Sequence, residues 1–298
     1  MSFAAIAALI DNPLSYPERT RFAAILGASP SKGARSPLLW NAAFKAHGIE
    51  AQMLPMDIPS ERLAPLLAAL DANPDFVGGA IAMPHKESIA RWLGERMTPE
   101  ARAIGAVNCL YRDTAGRLMG TNTDGEGAVV SYEKQVGSLS GKSAVLLGPG
   151  GAGKAVAAFL ARAVKPHGRV TICGRAPMDH LRLGAAAWTD WKTIDFLLPA
   201  TDVLVNCTSI GAAAQIGQSP LSLEQVSKLP AHAVVFDIIY QPSPSALLQL
   251  AHQRGLQTFD GAAMNLEQAV LAFGYAVPQV ADRASVSRAM ELAKQALN

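Results

Sequence analysis

The run Val145-Leu146-Leu147-Gly148-Pro149-Gly150-Gly151-Ala152-Gly153-Lys154-Ala155, near the middle of the chain, constrains the fold more than any other stretch. An apolar segment ends in glycines and gives way to Val156-Ala157-Ala158-Phe159-Leu160, apolar residues at helical spacing. This reads as strand, tight turn and helix. Gly148, Gly150 and Gly153 fit G-x-G-x-x-G, in which the first glycine permits the turn, the second admits a pyrophosphate and the third lets helix pack on strand. The helix start, with Gly151 and Ala152, then offers unpaired N–H groups to phosphate. The same residues also read as G-x-x-x-x-G-K, the front of a triphosphate-binding loop, and Val234-Val235-Phe236-Asp237 resembles a magnesium-binding strand end. That rival needs Ser or Thr after the lysine to hold the metal, and Ala155 stands there instead.

The next apolar run, Val170-Thr171-Ile172-Cys173, leads to Arg175. An NAD-type site carries an acidic residue at this strand end for the ribose 2′-hydroxyl, whereas an arginine suits the 2′-phosphate of NADP. Asp179 is the nearest acid, so the cofactor expected is NADP.

With 298 residues, half of them hydrophobic, the chain can fill one large or two medium cores. A net charge of +2 without runs of like charge gives no sign of a nucleic-acid or membrane partner. Cys109, Cys173 and Cys207 are too few and too scattered for a disulfide framework, and neither they nor the six histidines show metal-ligand spacing. Reduced buried thiols and no metal are expected. The apolar N-terminus from Ser2 to Ile10 lacks a basic leader region and is interrupted at Asp11, so a cytoplasmic protein is expected.

Alternating elements precede the glycine turn. Strands are expected at Phe22–Leu26, Met53–Met56 and Phe76–Met83. A helix is expected from Ser36-Pro37, with Ser36 as cap and Leu39, Ala43 and Phe44 on one face, and another from Ser60 through Leu63, Leu66, Leu67 and Leu70. Val107–Tyr111 and Arg117–Thr121 read as a hairpin turning at Asp113–Gly116. Beyond Arg175, strand-like runs recur at 202–207, 233–239 and 256–259, and the tail from Met264 to Asn298 is helical. Strands alternating with helices imply a parallel sheet covered on both faces.

Lys86 stands just past an apolar strand, and Asp124 follows Asn122-Thr123 at a helix start. Taken singly, the first is an ordinary solvated lysine and the second an ordinary cap. A dehydrogenase acting on an alcohol, however, needs a group that exchanges a proton with the substrate oxygen as hydride moves, and a lysine oriented by a carboxylate can do this. Asn108 and Asn122 are candidates to bond further hydroxyls.

Several pieces occur jointly and in order: Ser36-Pro37 with Asn41, Pro84-x-Lys86, Gly105-Ala106-Val107-Asn108, Asn122-Thr123-Asp124-Gly125, the glycine turn with Arg175, Asn206-x-Thr208-Ser209-x-Gly211, Asp237-x-x-Tyr240, and Met264 with Gln268-Ala269. In these the chain resembles the shikimate/quinate dehydrogenases over nearly its whole length. The resemblance implies that Lys86 and Asp124 are the catalytic pair and that Ser36, Arg35, Asn108, Tyr240 and Gln268 contact substrate. It further implies that Gly148, Gly150, Gly151, Ala152, Gly153, Arg175, Thr208, Ser209, Gly211, Gly261 and Met264 bind the cofactor. The fold class implied is α/β. An N-terminal α/β substrate domain (1–122, completed by 262–298) accompanies a Rossmann dinucleotide-binding domain (123–261), the C-terminal helices return to the substrate domain, and a cleft separates the two. The expected reaction is reversible hydride transfer between NADP and a hydroxyl of shikimate or a related cyclic hydroxy acid, in aromatic amino acid biosynthesis. A small-molecule substrate and a homodimer are the expected partners.

The departures matter too. The family's Ser-x-Ser-Pro is here Ala34-Arg35-Ser36-Pro37, and its Asn-Val-Thr before the proline and lysine is Ala80-Ile81-Ala82. Three polar groups lining the family's substrate pocket are thus alanine, while Arg35 offers a bidentate grip on a carboxylate. Alternatives are a family member with an altered substrate (quinate or another cyclic hydroxy acid, NAD-linked), a non-catalytic binding protein, and a P-loop enzyme.

Overall fold

A computed structural model describes every residue except Met1, Ser2, Ser15, Pro17, Glu18, Arg19, Ala186, Leu297 and Asn298, so Ser2 of the apolar N-terminus and the last two residues of the helical tail lie outside the described residues. In chain order the elements are α1 (Phe3–Ala7), β1 (Arg21–Gly27), α2 (Ser36–Ala46), β2 (Ala51–Asp57), α3 (Leu63–Asp71), β3 (Phe76–Ile81), α4 (Lys86–Leu93), α5 (Pro99–Ile104), β4 (Cys109–Arg112), β5 (Leu118–Thr121) and α6 (Asp124–Gln135). They continue with β6 (Ser143–Leu147), α7 (Gly151–Ala163), β7 (Arg169–Cys173), β8 (Ala187–Thr189), β9 (Val203–Asn206), α8 (Leu223–Ser227), β10 (Val234–Asp237), α9 (Ala246–Gln253), β11 (Gln257–Asp260), α10 (Ala262–Ala276) and α11 (Arg283–Gln295). Two compact units divide the chain, Met1–Thr123 with Gln268–Asn298, and Asp124–Glu267.

In the first unit the strands lie in the order β2-β1-β3-β4-β5. The first three are parallel, and β4 and β5 add antiparallel. Central β1 is buried from Phe22 to Gly27, as a strand covered on both faces must be. One face packs Leu66, Leu67 and Leu70 of α3 and Ile89 and Leu93 of α4 against Phe22, Leu26, Met56 and Phe76. On α2, Trp40 and Phe44 meet Phe273 of α10, with ring centroids 5.2 Å apart in both pairs. The C-terminal helices therefore complete this unit. Asn41 joins α2 to β2, its Oδ1 accepting from Met53 N at 2.7 Å, so the outer strand's backbone is satisfied by a side chain. Ser36 is the first helical residue, not the cap expected of it. Arg35 holds the cap position without a side-chain bond, and Ser36 is buried. The hairpin turn is closed by Asp113, whose Oδ1 accepts from Ala115 N and Arg117 N.

The second unit carries six parallel strands in the order β11-β10-β9-β6-β7-β8. This is the doubly wound Rossmann order, with the chain starting at the central β6 and reversing between β6 and β9. Short β8 was not foreseen. Val145 and Leu147 of β6, Leu204 of β9 and Val235 of β10 pack with Val226 of α8 and Leu247, Leu248 and Ala251 of α9. α6 lies against α7 so closely that a Cβ on Gly125 would sit 2.4 Å from Ala155 O. No helix among the described residues is long and apolar enough to cross a membrane.

Candidate functional site

The three glycines of the turn have three different reasons to be glycine. Gly148 has φ +87°, a backbone that side chains rarely adopt. Gly153 is buried inside α7, and a Cβ there would lie 2.0 Å from Gly148 O. At Gly150, the cap of α7, φ is an ordinary −72°, and a Cβ would meet nothing within 4 Å. The protein's own packing therefore does not demand a glycine at 150. A ligand approaching this backbone from outside would require one, as a pyrophosphate does in the G-x-G-x-x-G turn. The cap makes no side-chain hydrogen bond, so the first N–H groups of α7, from Gly151 onward, point outward with the positive end of the helix dipole.

Thr208 stands directly beside this turn, its Cγ2 2.7 Å from where a Gly148 Cβ would be. The loop from Asn206 to Gly211 is held by its own side chains. Asn206 Oδ1 accepts from Thr208 N (3.0 Å) and Thr208 Oγ1 (2.7 Å), and Thr208 Oγ1 accepts from Ile210 N at 3.1 Å. Ser209 donates to Gln215 Oε1, and Gly211 turns the chain at φ +109°. Asn206 is anchored in turn by Asp237. That carboxylate is fully buried and accepts from Asn206 Nδ2 (3.0 Å), Ile239 N (3.0 Å) and Ser245 Oγ (2.6 Å). Burial pushes the Asp237 carboxyl above its ordinary value, against the pull of those three bonds. Desolvation, with Asp237 and Asp124 nearby, also pushes the thiol of half-buried Cys207 up. The magnesium-binding reading of Asp237 is thereby corrected, because its oxygens face an amide, a backbone N–H and a hydroxyl in the interior. Arg175 is exposed just beyond β7, and the preceding Gly174 donates to Thr189 O. Half-buried Tyr240 follows β10, buried Gly261 follows β11, and Met264 is buried in the first turn of α10. Gly261 admits no side chain, since a Cβ would lie 1.9 Å from Ile238 O.

In the first unit Lys86 begins α4, and its carbonyl accepts from Val107 N at 3.0 Å. The neighbouring Asn108 is buried. Its Oδ1 accepts from Thr123 N at 2.8 Å, and its Nδ2 donates to Thr123 Oγ1 at 3.0 Å and reaches Gln268 Oε1 at 3.4 Å. Thr123 Oγ1 in turn donates to Gln268 O at 3.0 Å. The fold thus brings Asn108 and Gln268 together with Thr123 as the tie, and holds the Lys86 backbone against Val107, the residue before Asn108. Asn122 Nδ2 donates to Ala106 O at 3.0 Å, which braces the loop before Asn108. Arg35 and Ser36 lie at the start of α2, and Ala34 just precedes it. Ala80 is buried in β3, and the Ala82 Cβ lies 2.9 Å from where a Gly27 Cβ would be, while Ala82 N donates to Leu26 O at 2.8 Å, so the ends of β1 and β3 stay paired and close together. Asp124 is buried in the first turn of α6.

The fold and this arrangement define a two-unit α/β protein, one half of it a Rossmann-type nucleotide-binding unit with its glycine turn at the switch point. Residues 26–110 match the family profile of the shikimate dehydrogenase substrate binding domain. A shikimate dehydrogenase (NADP(+)) of Thermosynechococcus vestitus is 36% identical over 92% of this chain and 96% of its own length. The chain belongs to the shikimate dehydrogenase family. Among solved structures, the Thermus thermophilus shikimate 5-dehydrogenase in complex with NADP(H) and shikimate superposes with a TM-score of 0.77 at 29% identity, covering 92% of this chain and 99% of that one. A ligand-free 5-ketofructose reductase of a Gluconobacter species does so with a TM-score of 0.71 at 28% identity, covering 92% and 99%.

Proposed function

We propose that this protein is an NADP-dependent oxidoreductase acting on a CH–OH group, interconverting 3-dehydroshikimate plus NADPH and shikimate plus NADP+. The observation that carries the reading is the cluster in the first unit, where Lys86 is one backbone bond from the segment bearing Asn108 and Asn108 reaches Gln268. Family membership supplies the reaction class, and the relative's name supplies its substrate and cofactor.

In this reading the unit Met1–Thr123 with Gln268–Asn298 holds the substrate and Asp124–Glu267 holds the cofactor. Gly148, Gly150, Gly151, Ala152 and Gly153 cradle the pyrophosphate, and Arg175 pairs with the 2′-phosphate. Thr208, Ser209, Gly211, Gly261 and Met264 flank the nicotinamide end. The bound cofactor supplies or accepts the hydride. Ser36, Arg35, Asn108 and Gln268 hold the ring substituents. Lys86 gives its proton to the carbonyl oxygen during reduction and recovers one from the hydroxyl during oxidation, with Asp124 as the second member of the catalytic pair. Purified protein is assayed for NADPH formation from shikimate. Lys86→Ala should lower kcat at least about 10²-fold with cofactor KM nearly unchanged, and wild-type turnover by that variant would remove Lys86 from the chemistry.

A second reading rests on Ala34, Ala80 and Ala82. With methyl groups where relatives place polar ones, the pocket suits a substrate lacking one of shikimate's polar substituents. That a 5-ketofructose reductase shares this fold supports the reading. Comparing kcat/KM for shikimate, quinate and 5-ketofructose with both NADP and NAD as cofactor separates the two readings.

A further inference from the structure

The carboxyl end of β2 organises two loops at once. Asp57, its last residue, is buried and binds the loop after β1, accepting from Ser31 N at 2.8 Å and Ser31 Oγ at 2.5 Å. Its own N–H is fixed by Asn12 Oδ1 at 2.7 Å. The next residue, Ile58, donates its N–H to Gly27 O at 2.8 Å and receives His85 Nε2 on its carbonyl, also at 2.8 Å. A carbonyl only accepts, so Nε2 carries the proton. His85 is 1% exposed and directly precedes Lys86, at the cap position of α4. Its N–H donates to Ala82 O and its carbonyl accepts from Ile89 N, so the residue is committed on both sides to the turn that delivers Lys86.

We propose that His85 is a positioning residue for the reaction, its buried ring bond to Ile58 fixing where the Lys86 side chain leaves the backbone. The proposal rests on the reading of Lys86 as the proton carrier. Without the bond, the first turn of α4 is tied by Val107 N on Lys86 O but can pivot about it, and the ammonium meets the substrate oxygen in the correct geometry less often. Misplacement of this kind acts on the proton-transfer step, not on cofactor binding. Losing one net hydrogen bond, about 0.5–1.5 kcal/mol, corresponds to roughly a tenfold change in rate at its upper end.

The experiment uses the full chain with NADPH and its keto substrate. His85→Phe keeps a buried ring but has no donor, His85→Gln keeps an N–H that reaches Ile58 O, and His85→Asn keeps the amide but is too short. The expected result is kcat about tenfold lower in His85→Phe and His85→Asn and within about threefold of wild type in His85→Gln. KM for NADPH should stay unchanged, and the solvent deuterium isotope effect on kcat should be larger in the two impaired variants. Should His85→Phe not fold, the Gln and Asn pair makes the same comparison. Equal kcat in Gln and Asn variants, or an isotope effect unchanged in the impaired ones, overturns the proposal and leaves His85 a packing residue. Lys86→Ala is measured alongside. If it keeps wild-type turnover, both the assignment of Lys86 and this proposal fall; if it is inactive while His85→Phe is unimpaired, this proposal alone falls.

Discussion

Asp237 makes a sharp test, because stability and function should respond differently to two substitutions at one atom position. The carboxylate is fully buried among Asn206, Ile239 and Ser245, with no cation among its described partners. Replacing it with alanine leaves three buried donors unsatisfied. At about 1–1.5 kcal/mol each, the loss is roughly 3–4 kcal/mol, reduced somewhat by relief of the buried charge. For a domain of this size that is a fall in Tm of about 10 °C. Asparagine is different, because its oxygen can accept from Asn206 and Ile239 while its amide donates to the Ser245 hydroxyl. The direction of the pKa shift adds a pH signature. Burial raises the folded-state pKa of Asp237 above its unfolded value, so between the two the native state binds the proton more tightly. This site's contribution to stability therefore falls as pH rises through the folded pKa and is recovered on acidification toward the ordinary aspartate value. Asp237→Asn mimics the protonated form permanently. Its Tm should equal or exceed wild type at neutral pH, and the advantage should shrink as pH is lowered. Thermal melts from neutral to mildly acidic pH measure all of this, and KM for NADP reports whether loss of the Asn206 anchor loosens the Thr208 loop in the alanine variant alone. An alanine variant that melts like wild type, or an asparagine variant with the same pH slope as wild type, would refute the reasoning.

Three further outcomes are expected. Arg175→Ala should raise KM for NADP about tenfold or more and leave NAD little changed, since a charge-assisted bond contributes roughly 1.5–3 kcal/mol; equal use of both cofactors by the unmodified protein would contradict the assignment. Gly150→Ala should leave Tm within about 2 °C yet weaken NADP binding at least about tenfold, whereas Gly153→Ala should lower Tm itself because its Cβ collides with Gly148 O; titration calorimetry and melts distinguish the two. Ala34→Ser with Ala82→Thr should lower KM for shikimate, by about 5- to 150-fold for roughly 1–3 kcal/mol of restored bonding, unless the unmodified protein already oxidises shikimate with a micromolar KM.

What was legible in the sequence was whatever left a local mark. Gly148 and Gly153 are glycines for backbone and steric reasons that no other residue meets, and alternating apolar runs located five of the six strands of the second unit. Strand β8, Ala187–Thr189, left no such mark, being three half-buried residues without apolar periodicity. Ser36 was read one position early because serine and proline occupy cap and first turn in many helices, while here the buried hydroxyl belongs to the helix itself. Asp237 illustrates the deeper limit. A carboxylate at a strand end looks the same in sequence whether it faces a metal or the interior, and only the partners Ser245 and Ile239 tell them apart. His85 and Asp57 gave no signal, because their partners Ile58 and Ser31 are 27 and 26 residues away in the chain.

One topological rule accounts for where the proposed site residues lie in each unit. In a doubly wound sheet the loops leaving two adjacent strands turn to opposite faces where the strand order reverses, and the crevice so opened is where ligands bind. In the second unit the reversal falls between β6 and β9, where Gly148 and Thr208 meet. In the first it falls between β1 and β3, where Gly27 and Ala82 meet. These two contacts have different characters. The first sets a glycine against a threonine held by a side-chain network that ends in a buried carboxylate, an arrangement that preserves one loop geometry. The second sets a glycine against a methyl, with Ala34 and Ala80 nearby in sequence terms and His85 and Asp57 holding the loops from behind. The first unit thus holds the turn that begins α4 at Lys86, while Ala34, Ala80 and Ala82 stand where the family resemblance implies polar side chains. Side chains at such a surface can change without disturbing the scaffold, since Ala80 and Ala82 serve the sheet through their backbone alone. That is why the chemistry of hydride and proton transfer is expected to persist in this chain even where the identity of the ring substituents it accepts does not.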